Sequence, residues 1–337
     1  MRVAVTGSVA TDHLMTFPGK FTDQLIADKL DKISLSFLVE GLEVRRGGVA
    51  ANVAFGMSCL GLRPLLVAAV GADFGDYRAW LERHGVDTSE VLESARFHTA
   101  RFVCTTDAEG NQLASFYPGA MSEARTISIG EVARRAGGLS LVLIGADDPE
   151  AMFRHTAECI AAGIPFAADP SQQLARMDGE QTRALTDGAA YLFSNEYEAA
   201  LIERKTGWAG DEVLSHVGVQ VTTLGAAGAR VRGAGQPQIS VAGVPVAHVA
   251  DPTGAGDAFR AGFLTAVEWG LSLERAAQLG NILAAYSLET VGTQEYELKP
   301  GPLTERFAAA YGQAAAEEIA NALQMPAGEQ PGPLEPA

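Results

Sequence analysis

From its first residues the chain alternates short apolar runs with longer segments of helical period. Runs at 2–6, 65–70, 141–144, 165–168, 191–193 and 219–223 have strand length and almost no polar interruption. Between them, 50–60, 150–162 and 196–204 carry the i, i+3, i+4 apolar spacing of amphipathic helices. Continuous apolar strands alternating with helices predict an α/β domain whose mostly parallel sheet is covered on both faces. Late in the chain two helices are expected in succession, about 255–269 and 273–290, with Gly270 as the stop between them. One domain over 1–325 accounts for these elements. Residues 326–337, rich in Pro and Gly, have nothing to bury and read as a disordered tail.

Two stretches break the rhythm. Residues 11–47, with "KISLSFLVEGLEVRRGG", are extended in texture, and 97–117 read as a hairpin. A three-residue turn, Ala108-Glu109-Gly110, puts Gly110 where a left-handed residue is required. That register sets Asp107 opposite Asn111 and Phe102 opposite Phe116, both rings on one side. Together the two stretches predict a small β-sheet lid over the main domain, a device that excludes water from a reaction.

Composition narrows the function. The 337 residues carry a formal charge of −16, which disfavours nucleic acid and anionic membranes as partners. Cys59, Cys104 and Cys159 are few, odd in number and far apart, as expected for reduced thiols in a cytoplasmic protein. No apolar run has the length of a signal peptide or a membrane span, so cytoplasmic location is the expectation.

Open parallel sheets bind ligands beyond the carboxyl ends of their strands. Polar residues gather there: Asp12, then "GADDPE", "DPSQQ", "SNEYE" and "TLGAAG". Familiar motifs are missing or broken. There is no G-x-x-x-x-G-K-[ST], no H-E-x-x-H, and the "DFG" at 73–75 lacks every companion of a protein kinase. "HVADPTGAGDAFRAGFL", residues 248–264, is more informative. Gly254, Ala255 and Gly256 at a helix start offer backbone N–H groups to an anion. Asp257, at the rim of that cradle, has the chemistry to accept a proton from an attacking hydroxyl as an O–P bond forms. Taken alone, the same aspartate reads equally well as a helix-capping acid.

Further motifs support the kinase alternative. "DPTGAGDAF", "RRGGVAANVAFGMSCLG" at 45–61, "GADFGDY", "NEYE" and "TLGAAG" occur in the order in which the ribokinase/PfkB carbohydrate-kinase superfamily carries its signatures. The chain resembles that superfamily over about residues 3–295. "VTGSVATDHLM", "SFYPGAMSEAR", "FAADPSQQLAR" and "VGTQEY" narrow the resemblance to bacterial adenosine kinases of the actinobacterial type. The resemblance implies a three-layer ribokinase-like fold with a lid, and ATP-dependent phosphorylation of adenosine at its 5′-hydroxyl.

Carried onto this sequence, the resemblance makes Asp257 the catalytic base and Gly254, Ala255 and Gly256 the anion hole. Ser8, Asp12, Gly48, Asn52, Phe102, Phe116, Gln172 and Gln173 would bind the nucleoside. Asn195, Thr223, Gly225, Gly228 and Gly256 would bind ATP. Asn195 and Glu198 would hold Mg²⁺ through water, and carbonyls around Asp251 and Thr253 a monovalent cation such as K⁺. The side-chain chemistry agrees: a carboxylate such as Asp12 accepts from two vicinal hydroxyls, a purine wants aromatic faces, and an amide pairs bidentately with an adenine edge. Asn52 and Gly48 otherwise read as a helix start, Asn195 and Glu198 as a helix cap, and the phenylalanines as lid core. A sugar kinase for ribose or fructose, and a catalytically silent nucleoside sensor, are the competing readings. The open edges of a small lid sheet also predict a homodimer formed by lid pairing.

Overall fold

Along the first strand, Arg2–Thr6, Val3 and Val5 enter one hydrophobic cluster while Ala4 enters another. Leu139–Ile144 repeats the division, with Leu141 and Leu143 on one side and Val142 and Ile144 on the other. Such alternation places a core on each face of one sheet. In this computed structural model, which describes residues 2–25 and 35–324, that sheet has eight strands. Their order is Ile239–Val241, Ala229–Gly233, Val219–Thr223, Tyr191–Asn195, Phe166–Ala168, Leu139–Ile144, Arg2–Thr6 and Leu65–Val67. Pairing is parallel from Val219–Thr223 to Leu65–Val67, and antiparallel only for the last two strands in sequence.

The larger cluster packs Val49–Cys59, Ala255–Glu268 and Leu273–Leu288 on one face. Ile129–Ala136, Pro149–Ala162, Gly179–Thr186 and Glu196–Thr206 cover the other. Their starts follow local chemistry. Ser128, Asp148, Asp178 and Asn195 each accept a backbone N–H of the helix that follows, and Gly137, Gly163 and Gly207 end three of these helices in the left-handed conformation.

The two irregular stretches meet in a second, four-stranded sheet, ordered Gly41–Gly47, Ala10–Thr16, Ala100–Thr106 and Gln112–Tyr117. The hairpin register is the expected one, with Phe102 facing Phe116. Gly110 has φ 82°, and the Asp107 carboxylate closes the turn by accepting from Glu109 N and Asn111 N, both at 2.9 Å. Asp12, Phe102 and Phe116 stand opposite one another across three adjacent strands, so their side chains share a face.

Three expectations change. The apolar run 65–70 is two strands: Leu65–Val67 joins the main sheet, and Ala69–Gly71 pairs with Leu92–Ser94 in a separate ribbon. The stretch 11–47 includes one short helical turn, Phe21–Gln24. Two helices, Pro300–Tyr311 and Gln313–Gln324, follow the pair read from the sequence. The tail expected over 326–337 lies outside the described residues, as does 26–34 within the lid stretch.

Candidate active site

Where the lid sheet overhangs the carboxyl ends of the main strands there is a cavity of about 710 Å³. Ser8, Asp12, Gly48, Asn52, Phe102, Phe116, Gln172, Gln173 and Asp257 all line it. They come from separate elements: the exit of the first strand, the lid strand Ala10–Thr16 that carries Asp12, the start of Val49–Cys59, the lid hairpin, the helical turn after Phe166–Ala168, and the helix Ala255–Glu268.

Backbone geometry shapes the wall. Gly48 has φ 96°, and a Cβ there would lie 2.6 Å from both the Ser8 carbonyl oxygen and Val9 Cα. No side chain fits, so the helix start stays flush with the first strand's exit. Ser8 Oγ caps that helix by accepting Val49 N at 3.1 Å. Asp12 sits at the lid root. Burial pushes its carboxyl upward, Arg45 opposes that, and Asp251 adds to it.

The helix Ala255–Glu268 starts differently from those on the other face. Its N-cap is Gly254, at φ 77°, and no side chain caps it. Ala258 N makes the first helical bond, to the Gly254 carbonyl at 2.9 Å. The N–H groups of Ala255, Gly256 and Asp257 are therefore left for an anion. Asp257 does not cap this helix. Its Oδ2 instead accepts Asn52 Nδ2 at 2.8 Å. Asn52 Oδ1 in turn lies 2.8 Å from Thr293 Oγ1 and accepts Gln294 Nε2 at 2.9 Å. Gln294 Nε2 also reaches Tyr77 Oη at 2.5 Å, and that phenol donates to the Gly47 carbonyl at 2.9 Å. With donors on its oxygen side, the Asn52 amide must turn its NH₂ toward the carboxylate. Asp257 keeps one side open to the cavity, while the surrounding packing raises its carboxyl. Arg260 and the Asn52 bond pull the other way.

Arg260 completes the cluster. It is 7% exposed, and its Nη2 donates to Asp169 Oδ1 at 2.6 Å while Nε lies 2.5 Å from Asp169 Oδ2. Burial pushes the fully enclosed Asp169 carboxyl up to about 6 even against this arginine. Asp169, Asp257, Arg260 and Glu198 are near enough to perturb one another electrostatically.

Asp251 and Thr253 also line the cavity, whereas Asn195, Glu198, Thr223, Gly225 and Gly228 sit outside it, at the neighbouring strand ends. Asn195 and Thr223 are direct register partners across two parallel strands. Gly225 and Gly228, at φ 57° and 100°, bound a single tight turn; a Cβ on Gly228 would fall 2.1 Å from the Val241 carbonyl oxygen. Asn195 and Glu198 form a reciprocal cap, each side chain accepting the other's backbone N–H at 2.8 Å. The capping reading of this pair thus holds in the structure. Glu198 commits Oε2 to the cap, which leaves Oε1. Among the described residues no three His, Cys, Asp or Glu side chains gather to hold a metal ion. The free Glu198 Oε1 is an oxygen donor of the kind that a hard cation such as Mg²⁺ takes, directly or through water.

Sequence reading overlooked Asp169, Arg260, Thr293, Gln294 and Tyr77. Arg260 had a signal, lying three residues beyond Asp257 on the same helix. Asp169 had one in its place at a strand end. Tyr77 had none.

An amide cradle, an adjacent carboxylate and a lid over the strand ends suit a hydroxyl-directed phosphotransferase on a ribokinase-like scaffold. Comparison with known proteins agrees: the chain belongs to the pfkB family of carbohydrate kinases, which it matches over residues 8–299. It is 31% identical over 292 residues to the nucleoside kinase of Methanothermobacter thermautotrophicus, covering 85% of this chain and 92% of that protein. Among solved structures it is similar to Burkholderia thailandensis nucleoside kinase in complex with inosine, at TM-score 0.80 and 34% identity, over 92% of this chain and 98% of the other. The nucleoside kinase of Methanocaldococcus jannaschii gives TM-score 0.81 at 25% identity, over 92% and 99%. The fold is accordingly ribokinase-like, and the protein is a kinase of that family.

Proposed function

We propose that this kinase transfers the γ-phosphoryl group of ATP to the 5′-hydroxyl of adenosine, giving AMP and ADP. The observation that carries the reading is one cavity holding Asp12, the Phe102–Phe116 pair, two glutamines and Asp257. Ribose hydroxyls suit Asp12, a flat base suits the phenylalanines, and the hydroxyl to be phosphorylated is then left for Asp257. The new O–P bond forms as the bond from phosphorus to the bridging oxygen of ATP breaks. ADP leaves with that bond's electron pair, and the hydroxyl proton passes to Asp257. Amides of Ala255, Gly256 and Asp257 stabilise the phosphoryl oxygens. When bound, Mg²⁺ supplies charge neutralisation between the phosphates, with Asn195 and Glu198 holding its waters. Thr223, Gly225 and Gly228 hold the nucleotide.

Adenine is favoured over an oxo-purine by one bond. Gln173 Nε2 donates to the Asp147 carbonyl at 2.7 Å. A carbonyl only accepts, so the Gln173 amide is held with its NH₂ inward, leaving its oxygen as the acceptor for a ligand. An acceptor there welcomes an exocyclic amino group and rejects a carbonyl. Inosine, the ligand of the Burkholderia enzyme, is the second reading. The test is initial rates with ATP and adenosine, inosine, ribose or fructose. Adenosine should have the highest kcat/KM, and Gln173→Ala should compress its advantage over inosine. Preferred turnover of a free sugar overturns the nucleoside assignment.

Purine salvage in the cytoplasm is the corresponding cellular role. The lid's edge strands, Gly41–Gly47 and Gln112–Tyr117, carry the exposed Leu42, Val44, Leu113 and Tyr117, and pairing of two lids gives the homodimer we assign. A monomeric mass in sedimentation would refute it. Carbonyls around Asp251 and Thr253 are assigned to a monovalent cation, refuted by equal activity in K⁺ and in a bulky organic cation.

A further inference from the structure

Arg260 lies in the second turn of Ala255–Glu268, and side chains there lean back over the preceding turn. Its guanidinium is shared unequally. Two prongs of its fork face Asp169: Nη2 donates to Oδ1 at 2.6 Å, and Nε lies 2.5 Å from Oδ2 as a charge contact without hydrogen-bond alignment. Nη1 has no hydrogen-bond acceptor among the described residues. It occupies the space that a side chain on Gly256 would fill, 2.7 Å from the position of a Cβ there. A positive charge close to the positive end of a helix dipole is unfavourable by itself. Here the helix start is also uncapped, so cation, dipole and free amides all converge on one point.

We propose that Arg260 is a further catalytic residue, its Nη1 donating to an oxygen of the phosphoryl group in transfer, and that Asp169 is the positioning residue that aims it. The inference rests on the phosphotransferase reading, and it holds for any acceptor hydroxyl. As the acceptor O–P bond forms and the bond to the bridging oxygen of ATP breaks, charge spreads over the equatorial oxygens above Gly256. An arginine fixed beforehand meets that charge without reorganising.

Asp169 has a second effect. Arg260 pairs with Asp169 among the described residues and not with Asp257, although both carboxylates sense its charge. An arginine paired directly with Asp257 would weaken it as a base. Anchoring the fork on the adjacent strand end keeps the positive charge on the phosphate side of the base. It also accounts for the lack of a side chain at residue 256, where any Cβ would displace Nη1.

The alternative is a buried ion pair that merely ties the helix to the sheet. Steady-state kinetics of Arg260→Ala, Arg260→Lys and Asp169→Asn, each with a thermal melt, separate the two. Arg260→Ala should lower kcat by roughly 10²–10³, as removal of one oxyanion donor does, with little change in nucleoside KM. Added guanidinium ion should restore part of that loss. Arg260→Lys keeps a charge for Asp169 and hence the fold, yet cannot fork and reach the phosphoryl together, so it should lose nearly as much kcat. Asp169→Asn should lower kcat less than Arg260→Ala. If Arg260→Lys retains wild-type kcat, or if guanidinium leaves Arg260→Ala unchanged, the arginine is structural and the proposal fails. Wild-type rates on adenosine, measured alongside, test the substrate separately.

Discussion

Replacing Asn52 with alanine perturbs the base without touching it. Asn52 Nδ2 donates to Asp257 Oδ2 at 2.8 Å, and its orientation is held from behind by Thr293 and Gln294. A hydrogen bond to a charged acceptor contributes about 1.5–3 kcal/mol. At 1.36 kcal/mol per tenfold, its loss corresponds to roughly 10- to 150-fold in kcat/KM. The pH dependence gives the more specific signature. Burial raises the Asp257 carboxyl and the Asn52 bond lowers it, so removing the bond raises it further. With Asp257 as the proposed base, catalysis needs its deprotonated carboxylate, and the acid limb of the kcat/KM profile should therefore move to higher pH. The deficit should be greatest at low pH and shrink as pH rises. Initial-rate assays across the limb measure this. The fold should survive, because Thr293 Oγ1 also lies 3.0 Å from the Arg46 carbonyl and Gln294 still has Tyr77. A uniform loss with an unmoved acid limb would show that Asn52 acts on substrate binding alone, and the relay to Asp257 would be refuted.

Other expectations follow from the same geometry. Asp257→Asn keeps the shape of the site and should cost roughly 10²–10⁴ in kcat with small changes in KM; retained turnover would remove the base from the mechanism. Phe102→Ala should raise the nucleoside KM by about 5- to 150-fold, the worth of one base stack, and leave the KM for ATP unchanged. Equal losses for both substrates would mean that the lid has collapsed. Burial pushes the Asp147 carboxyl up from 3.8 to about 8. Its protonated form stabilises the fold fully below 3.8, and that contribution is lost as pH rises through about 8. Thermal melts should show wild type losing stability relative to Asp147→Asn between those limits. Parallel curves would refute the assignment.

Much of this architecture was legible because strands buried on both faces are apolar throughout, and turns such as Ala108–Gly110 carry their own stereochemistry. The eight residues expected to hold the nucleoside, and Asp257, all reach one cavity because they follow strand ends, open a helix or face inward from the lid, positions that alternation and topology define. The break after Val67 was not legible, since an apolar run looks the same when it leaves one sheet for another. What bars a side chain at Gly71 is the backbone of Phe97 and His98, distant in sequence. The last two helices carry few large apolar side chains among their alanines, and Gly312 at φ 92° separates them. The relay through Tyr77, Gln294 and Asn52 joins residues more than 200 positions apart, and no local pattern announces it. Asn195 and Glu198 show the converse: a motif legible in sequence proves to hold a helix cap as well as flanking the charged cluster.

The most direct measurement is a crystal structure with adenosine and a non-hydrolysable ATP analogue. The 5′-oxygen should lie about 2.6–3.2 Å from an Asp257 carboxylate oxygen, in line with a γ-phosphate seated on the Ala255 and Gly256 amides. A 5′-oxygen remote from Asp257, with that carboxylate turned to solvent, would contradict the account.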